Sequence, residues 1–206
     1  RKLTTLIQET LKDPRSIADK SKSIRLSYFE VLQAALFVAI CSTLLTYIFL
    51  NIVLNNFSSD ISKNSERVSN LIPFITEIEP IFFTANQVFQ MFLLAAIITL
   101  AGRIFGGFGK FFDALLCITW IEFLLSLLKI LQLILIPVSS VLAFACIIPG
   151  MLWSLWAYAA VAAQLHGFKS TVMTAMAGFF ICLCFIVFIN LAFWLRFSFK
   201  VRLCMM

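Results

Sequence analysis

Long runs of apolar residues without a single charge, set apart by short polar breaks, define the pattern of this chain. Residues 31–54 are 24 uncharged positions, about 36 Å as a helix against a hydrocarbon core of about 30 Å. A second uncharged run covers 81–101, and further apolar runs cover 111–136, 138–165 and 172–195. Each is long enough to cross a bilayer, so the pattern predicts an all-α integral membrane bundle of about five transmembrane helices. The longest polar stretch, 55–80, is rich in Ser and Asn and is broken by Pro73 and Pro80. Its Asn56-Phe57-Ser58 matches a glycosylation sequon at the membrane edge. Residues 137–140 read as a hinge, and Pro149-Gly150 marks a kink point inside the fourth run.

Ahead of the first span the period changes. Leu3, Leu6, Ile7 and Leu11 fall at helical spacing, with Lys2, Gln8, Glu9 and Lys12 on the opposite side. That spacing predicts a short amphipathic helix lying on the membrane surface. Asp13-Pro14 then supplies an N-cap and a first-turn proline, restarting a helix toward Tyr28. The expected organisation is an amphipathic cytoplasmic segment at 1–30, a five-helix membrane domain at 31–195 and a short basic tail at 196–206.

Small residues cluster in two places. Gly102, Gly106, Gly107 and Gly109 make a tight connection that also carries Arg103 and Lys110. A phosphate-cradling loop would need a preceding strand and a Lys-Ser/Thr pair, and the sequence offers neither. Ala159, Ala163 and Gly167 recur every four residues, as do Thr174, Gly178 and Cys182 in the fifth run. Such faces predict close helix packing, within the chain or between copies. Trp153, Trp156 and Tyr158 read as packing residues.

The third run is the unusual one, because it contains Asp113, Glu122 and Lys129. Its 17 Leu, Ile and Phe residues favour insertion, while two central charges oppose it by about 5–7 kcal/mol. Thr119, Glu122, Ser126, Lys129 and Gln132 follow one another at steps of three or four and so form a polar stripe on one helix face. That stripe is expected to turn to the bundle interior. Glu122 and Lys129 lie about 10.5 Å apart along the axis, and the lysine side chain is expected to lean back toward the glutamate, with Ser126 or a water between them. The stripe supports two readings: a mutually compensating pair that fixes helix packing, or a conduction or proton-relay element.

Composition and charge narrow the classes. A chain that is 62% hydrophobic and only 13% charged lacks the polar surface of a soluble domain. Its +6 charge is concentrated: seven of sixteen basic residues lie in the first 25 positions. That is the flank of a membrane segment and not a nucleic-acid groove. With five spans and the N-terminus inside, ten basic residues fall on the cytoplasmic side and five on the other, which predicts N-in and C-out. The six cysteines imply no disulfide framework. With one histidine, His166, no His-based zinc protease site can be built, and the residue reads as interfacial. No nucleophile elbow is present. No catalytic residues, metal or cofactor are expected, and no enzyme.

Gly106-Gly107-Phe108-Gly109 before a span, Trp153 and Trp156 in the next, and Leu165-His166-Gly167-Phe168-Lys169 after it resemble the YIP domain family, the Ypt/Rab-interacting multi-pass membrane proteins and their bacterial relatives. The opening Leu11-Lys12-Asp13-Pro14-Arg15 is similar to the segment preceding the first span there. The resemblance implies a five-helix bundle with a cytoplasmic N-terminus. Without the Asp-Leu-x-Gly-Pro motif of the eukaryotic members, the chain looks more like the bacterial branch. That implies an inner-membrane location and no Rab-type GTPase partner. The function expected is a non-enzymatic scaffold or adaptor whose partners are the lipid bilayer and other membrane proteins. The alternative is a small transporter or channel using Glu122 and Lys129.

Overall fold

A computed structural model describes residues 2–23, 26–61, 80–172, 174–176 and 178. Every regular element among them is helical: α1 (Lys2–Lys12), α2 (Arg15–Ser23), α3 (Tyr28–Ile61), α4 (Pro80–Ile104), α5 (Phe111–Leu135), α6 (Ser140–Ala145) and α7 (Ile147–His166). Four stretches are long and apolar enough to cross a membrane: Tyr28–Val53, Pro80–Ile104, Phe111–Leu135 and, through α6 and α7, Val141–His166. The chain is therefore a multi-pass membrane protein in fold. Most of the expected fifth span at 172–195, the 196–206 tail and residues 62–79 lie outside the described residues.

The long helices are not equivalent. Of the most apolar window of α5, 44% is buried, against 22% for α3, 11% for α4 and 17% for the α6–α7 stretch. α5 is the hub: it packs on α2, α3, α4, α6 and α7. Its Leu115, Ile118 and Ile121 are completely buried, and they share one core with Val31, Ala35 and Ala39 of α3, Met91 and Ala95 of α4, and Ala157 and Val161 of α7. Around that core the outward positions stay apolar, including Phe37, Ile81, Phe89, Ile148 and Leu152. Such a surface is stable in lipid and would be an aggregation hazard in water.

The fourth span breaks at Cys146, three residues before Pro149. Pro149 has no N–H for the Ala145 carbonyl, and its ring crowds that oxygen, so the ladder stops at α6. Ser139 caps α6 through its side chain, which accepts from the Leu142 N–H at 3.4 Å. Beyond the proline α7 runs close to α5: a Cβ on Gly150 would sit 2.3 Å from Leu128 Cδ2.

The N-terminal segment is part of this core. Asp13 Oδ1 accepts from the Arg15 N–H at 3.1 Å, turning the chain from α1 into α2. Ile17, Ala18 and Ser21 are buried, Ile17 and Ala18 in the same cluster as the spans. Trp120 donates from Nε1 to Thr10 Oγ1 at 3.2 Å, and Trp153 donates to the Leu11 carbonyl at 3.4 Å. Trp120 lies nine residues into α5, about 13 Å along its axis. Thus the C-terminal end of α1 is tied to α5 and α7. The sequence could suggest an apolar face there but not the two indole donors that receive it.

Candidate functional site

Two polar centres lie within the bundle, one along α5 and one at the end where α4, α5 and α7 meet.

The α5 stripe is divided among three neighbouring helices. Thr119, Ser126 and Gln132 are buried, and Glu122 and Lys129 are half-buried. Thr119 and Ser126 return their hydroxyls to the carbonyls of Leu115 (2.8 Å) and Glu122 (2.9 Å). Glu122 accepts from Tyr158 Oη of α7 at 2.8 Å and from Gln87 Nε2 of α4 at 3.1 Å. Lys129 reaches the other way: its Nζ donates to Ser42 Oγ at 2.7 Å and Thr46 Oγ1 at 3.0 Å, both on α3.

The expected contact between Glu122 and Lys129 is not formed. Among the described residues the one ion pair joins Lys20 to Glu9 at the surface. The physical reason lies in the neighbours, since each charged group finds uncharged partners on a different helix at shorter reach than the two turns separating it from the other. Sequence reading missed Gln87, Tyr158, Ser42 and Thr46 as partners. They lie 35 to 87 residues from the charges they bind, and no local periodicity links them.

At the bundle end, two helices stop in the same way. α4 turns at Gly106 (φ 81°), with Gly106 N–H bonded to the Arg103 carbonyl and Gly107 N–H to the Gly102 carbonyl. α7 turns at Gly167 (φ 74°), with Gly167 N–H bonded to the Gln164 carbonyl and Phe168 N–H to the Ala163 carbonyl. Both are left-handed glycine caps that satisfy the last carbonyls of their helices.

Between the caps sits His166, 4% exposed. A Cβ on Gly102, Gly107 or Gly109 would fall 2.1, 2.4 or 2.6 Å from its side chain. Gly102, which lies within α4 and not in the expected loop, and Gly107 and Gly109 of the turn thus leave empty volume that the imidazole fills. Gly109 N–H donates to His166 Nδ1 at 3.2 Å, so Nδ1 is unprotonated and the proton resides on Nε2. Nε2 is buried without a hydrogen-bond partner among the described residues. Phe168 stacks on the ring at 5.7 Å. The histidine is therefore a buried wedge at the last residue of α7.

The residues of the small-residue face differ in burial. Ala163 is buried, Ala159 is half-buried, and Gly167 is exposed because it is the cap that ends α7. The fully buried small residues of that helix are Ala157, Ala160 and Ala163. Thr174 bonds to the Ser170 carbonyl at 2.9 Å, and a Cβ on Gly178 would meet open space. Cys182 lies outside the described residues.

The α7 cap region also holds α2. Asp19 accepts from Gln164 Nε2 at 2.8 Å, Lys22 donates to the Gln164 carbonyl at 3.1 Å, and Arg15 binds Thr171. Among the described residues no three His, Cys, Asp or Glu side chains are grouped as metal ligands would be. Compared with protein-family models, curated proteins and solved structures, the chain matches none.

Proposed function

We propose that this chain is a non-enzymatic scaffold or adaptor of the YIP-domain type, working through helix packing within a bacterial inner membrane with its N-terminus in the cytoplasm. The observation that carries the reading is the division of the α5 stripe: Glu122 binds α4 and α7, and Lys129 binds α3. Polar groups used this way tie neighbouring helices to one hub instead of lining a path across the membrane. The outward faces of α3 and α4, with Phe37 at 65% and Phe89 at 62% exposure, then remain for lipid and for other membrane proteins.

A photo-crosslinker placed at Phe37 or Phe89 in native membranes tests this. The scaffold reading expects discrete protein adducts of reproducible mass from at least one site. Lipid adducts alone from both would remove the basis for it. One observation favours a second reading, a small transporter: Glu122 is a carboxylate at membrane depth whose hydrogen-bond partners are both uncharged. Intramembrane carboxylates with that environment serve as proton or cation sites in transporters.

A further inference from the structure

The turn between α4 and α5 exposes a set of side chains that the bundle does not use. Ile104 is 79% exposed, Phe105 58% and Phe108 90%, and Arg103 and Lys110 stand exposed on either side of them. Neither cation forms an ion pair among the described residues. The outward set of these side chains follows from the corner behind them. His166 fills the volume beside Gly102, Gly107 and Gly109, so the turn has no room to fold its large residues inward. The left-handed Gly106 fixes the direction in which the chain reverses. The result is a rigid projection, apolar at its crest and cationic at both feet, joining two helices that are each long enough to span a bilayer.

The geometry points to this turn as a binding element for anionic phospholipid headgroups. Apolar side chains held at the end of a membrane helix sit where acyl chains begin, and cations beside them meet the phosphate layer. Two cations without a carboxylate partner complement an anionic headgroup better than a zwitterionic one, since choline would return a positive charge to the same space. The aromatic and aliphatic crest adds depth and so separates lipid from free phosphate: inorganic phosphate would find the charges but nothing for Phe108 and Ile104. This assignment is independent of the scaffold reading and of the side of the membrane on which the turn lies.

Native mass spectrometry of the full chain in micelles containing equal amounts of phosphatidylglycerol and phosphatidylcholine with matched acyl chains tests the proposal. Wild type should carry several phosphatidylglycerol adducts for each phosphatidylcholine adduct. Each of Arg103→Gln and Lys110→Gln should lower that ratio about 5-fold, the worth of one basic side chain at an anionic surface. Phe108→Ser should reduce adducts of both lipids while preserving their ratio. All three positions are exposed, so the variants should melt with wild type. Lys12→Gln, an exposed basic position on α1, serves as the control and should leave the ratio unchanged. A ratio of one in wild type would overturn the proposal, and so would an unchanged ratio in Arg103→Gln with Lys110→Gln. An equal drop in Lys12→Gln would also overturn it, because the preference would then belong to overall charge. Retention of the preference with added phosphate supports a lipid site; its loss to millimolar phosphate would replace the lipid with a free anion.

Discussion

The corner around His166 and the stripe along α5 both bury polar chemistry in an apolar bundle, and they do so by opposite means. The corner works by shape. Three glycines surrender their side-chain volume to one imidazole, whose Nδ1 has a donor while Nε2 lacks a well-aligned acceptor. The stripe works by hydrogen bonding. Glu122 and Lys129 are each served by two donors or acceptors from neighbouring helices, and no glycine is needed to admit them. The difference teaches that polarity in a membrane bundle does not by itself mark a reactive site. A group can be kept because it fills a hole or because it ties helices together.

The comparison breaks most sharply at the glycines. Gly102→Ala would put a Cβ 2.1 Å from the imidazole, and overpacking of that kind costs about 1–3 kcal/mol. A lowered melting temperature in detergent is the expected outcome, with substantial recovery when His166→Ala removes the obstruction. Failure of the second change to restore stability would mean that the ring is not what the glycines accommodate. Gly106→Ala should destabilise for another reason, by about 1–2 kcal/mol, because its φ of 81° is costly for a residue with a side chain. His166→Ala should not rescue it, since a Cβ there meets nothing within 4 Å.

The stripe should respond through lost partners and not through overpacking. Glu122→Leu leaves Tyr158 Oη and Gln87 Nε2 without their acceptor, a loss of about 1–3 kcal/mol. Glu122→Gln keeps an oxygen for Tyr158 and should recover part of that. Lys129→Met is expected to be the mildest, about 0.6 kcal/mol, the average for polar contacts between membrane helices. Thr46 keeps its own bond to the Ser42 carbonyl at 2.8 Å without the lysine. Since Glu122 and Lys129 share no partner, Glu122→Gln and Lys129→Met should add within about 0.5 kcal/mol in a double-mutant cycle of thermal stability. Rescue of one by the other would restore the direct pair that the sequence suggests.

Spans were legible in the sequence because hydropathy and length act locally. The runs at 31–54, 81–101 and 111–136 fall within α3, α4 and, to one residue, α5. The break at Cys146 was nearly legible too, displaced from Pro149 by the reach of a proline ring to the carbonyl four residues back. Partner choice was not legible. Periodicity placed Glu122 and Lys129 on one face, but which way each side chain turns depends on Tyr158 and Ser42, which arrive from other helices. The corner shows a third case, where both halves were visible and their meeting was not. The glycine-rich turn and the Leu165-His166-Gly167 segment each stood out, and only packing reveals that one holds the other.

The account rests on the claim that the polar residues of α5 hold the bundle together and carry nothing across it. Proton flux through purified protein in sealed liposomes tests this most directly, with an imposed pH gradient followed by an entrapped pH-sensitive dye. The account predicts that gradients decay at the same rate with wild type, with Glu122→Gln and with protein-free liposomes. A faster decay with wild type that Glu122→Gln abolishes, in a variant that melts within a few degrees of wild type, would contradict it and make the Glu122 carboxylate part of a transport path.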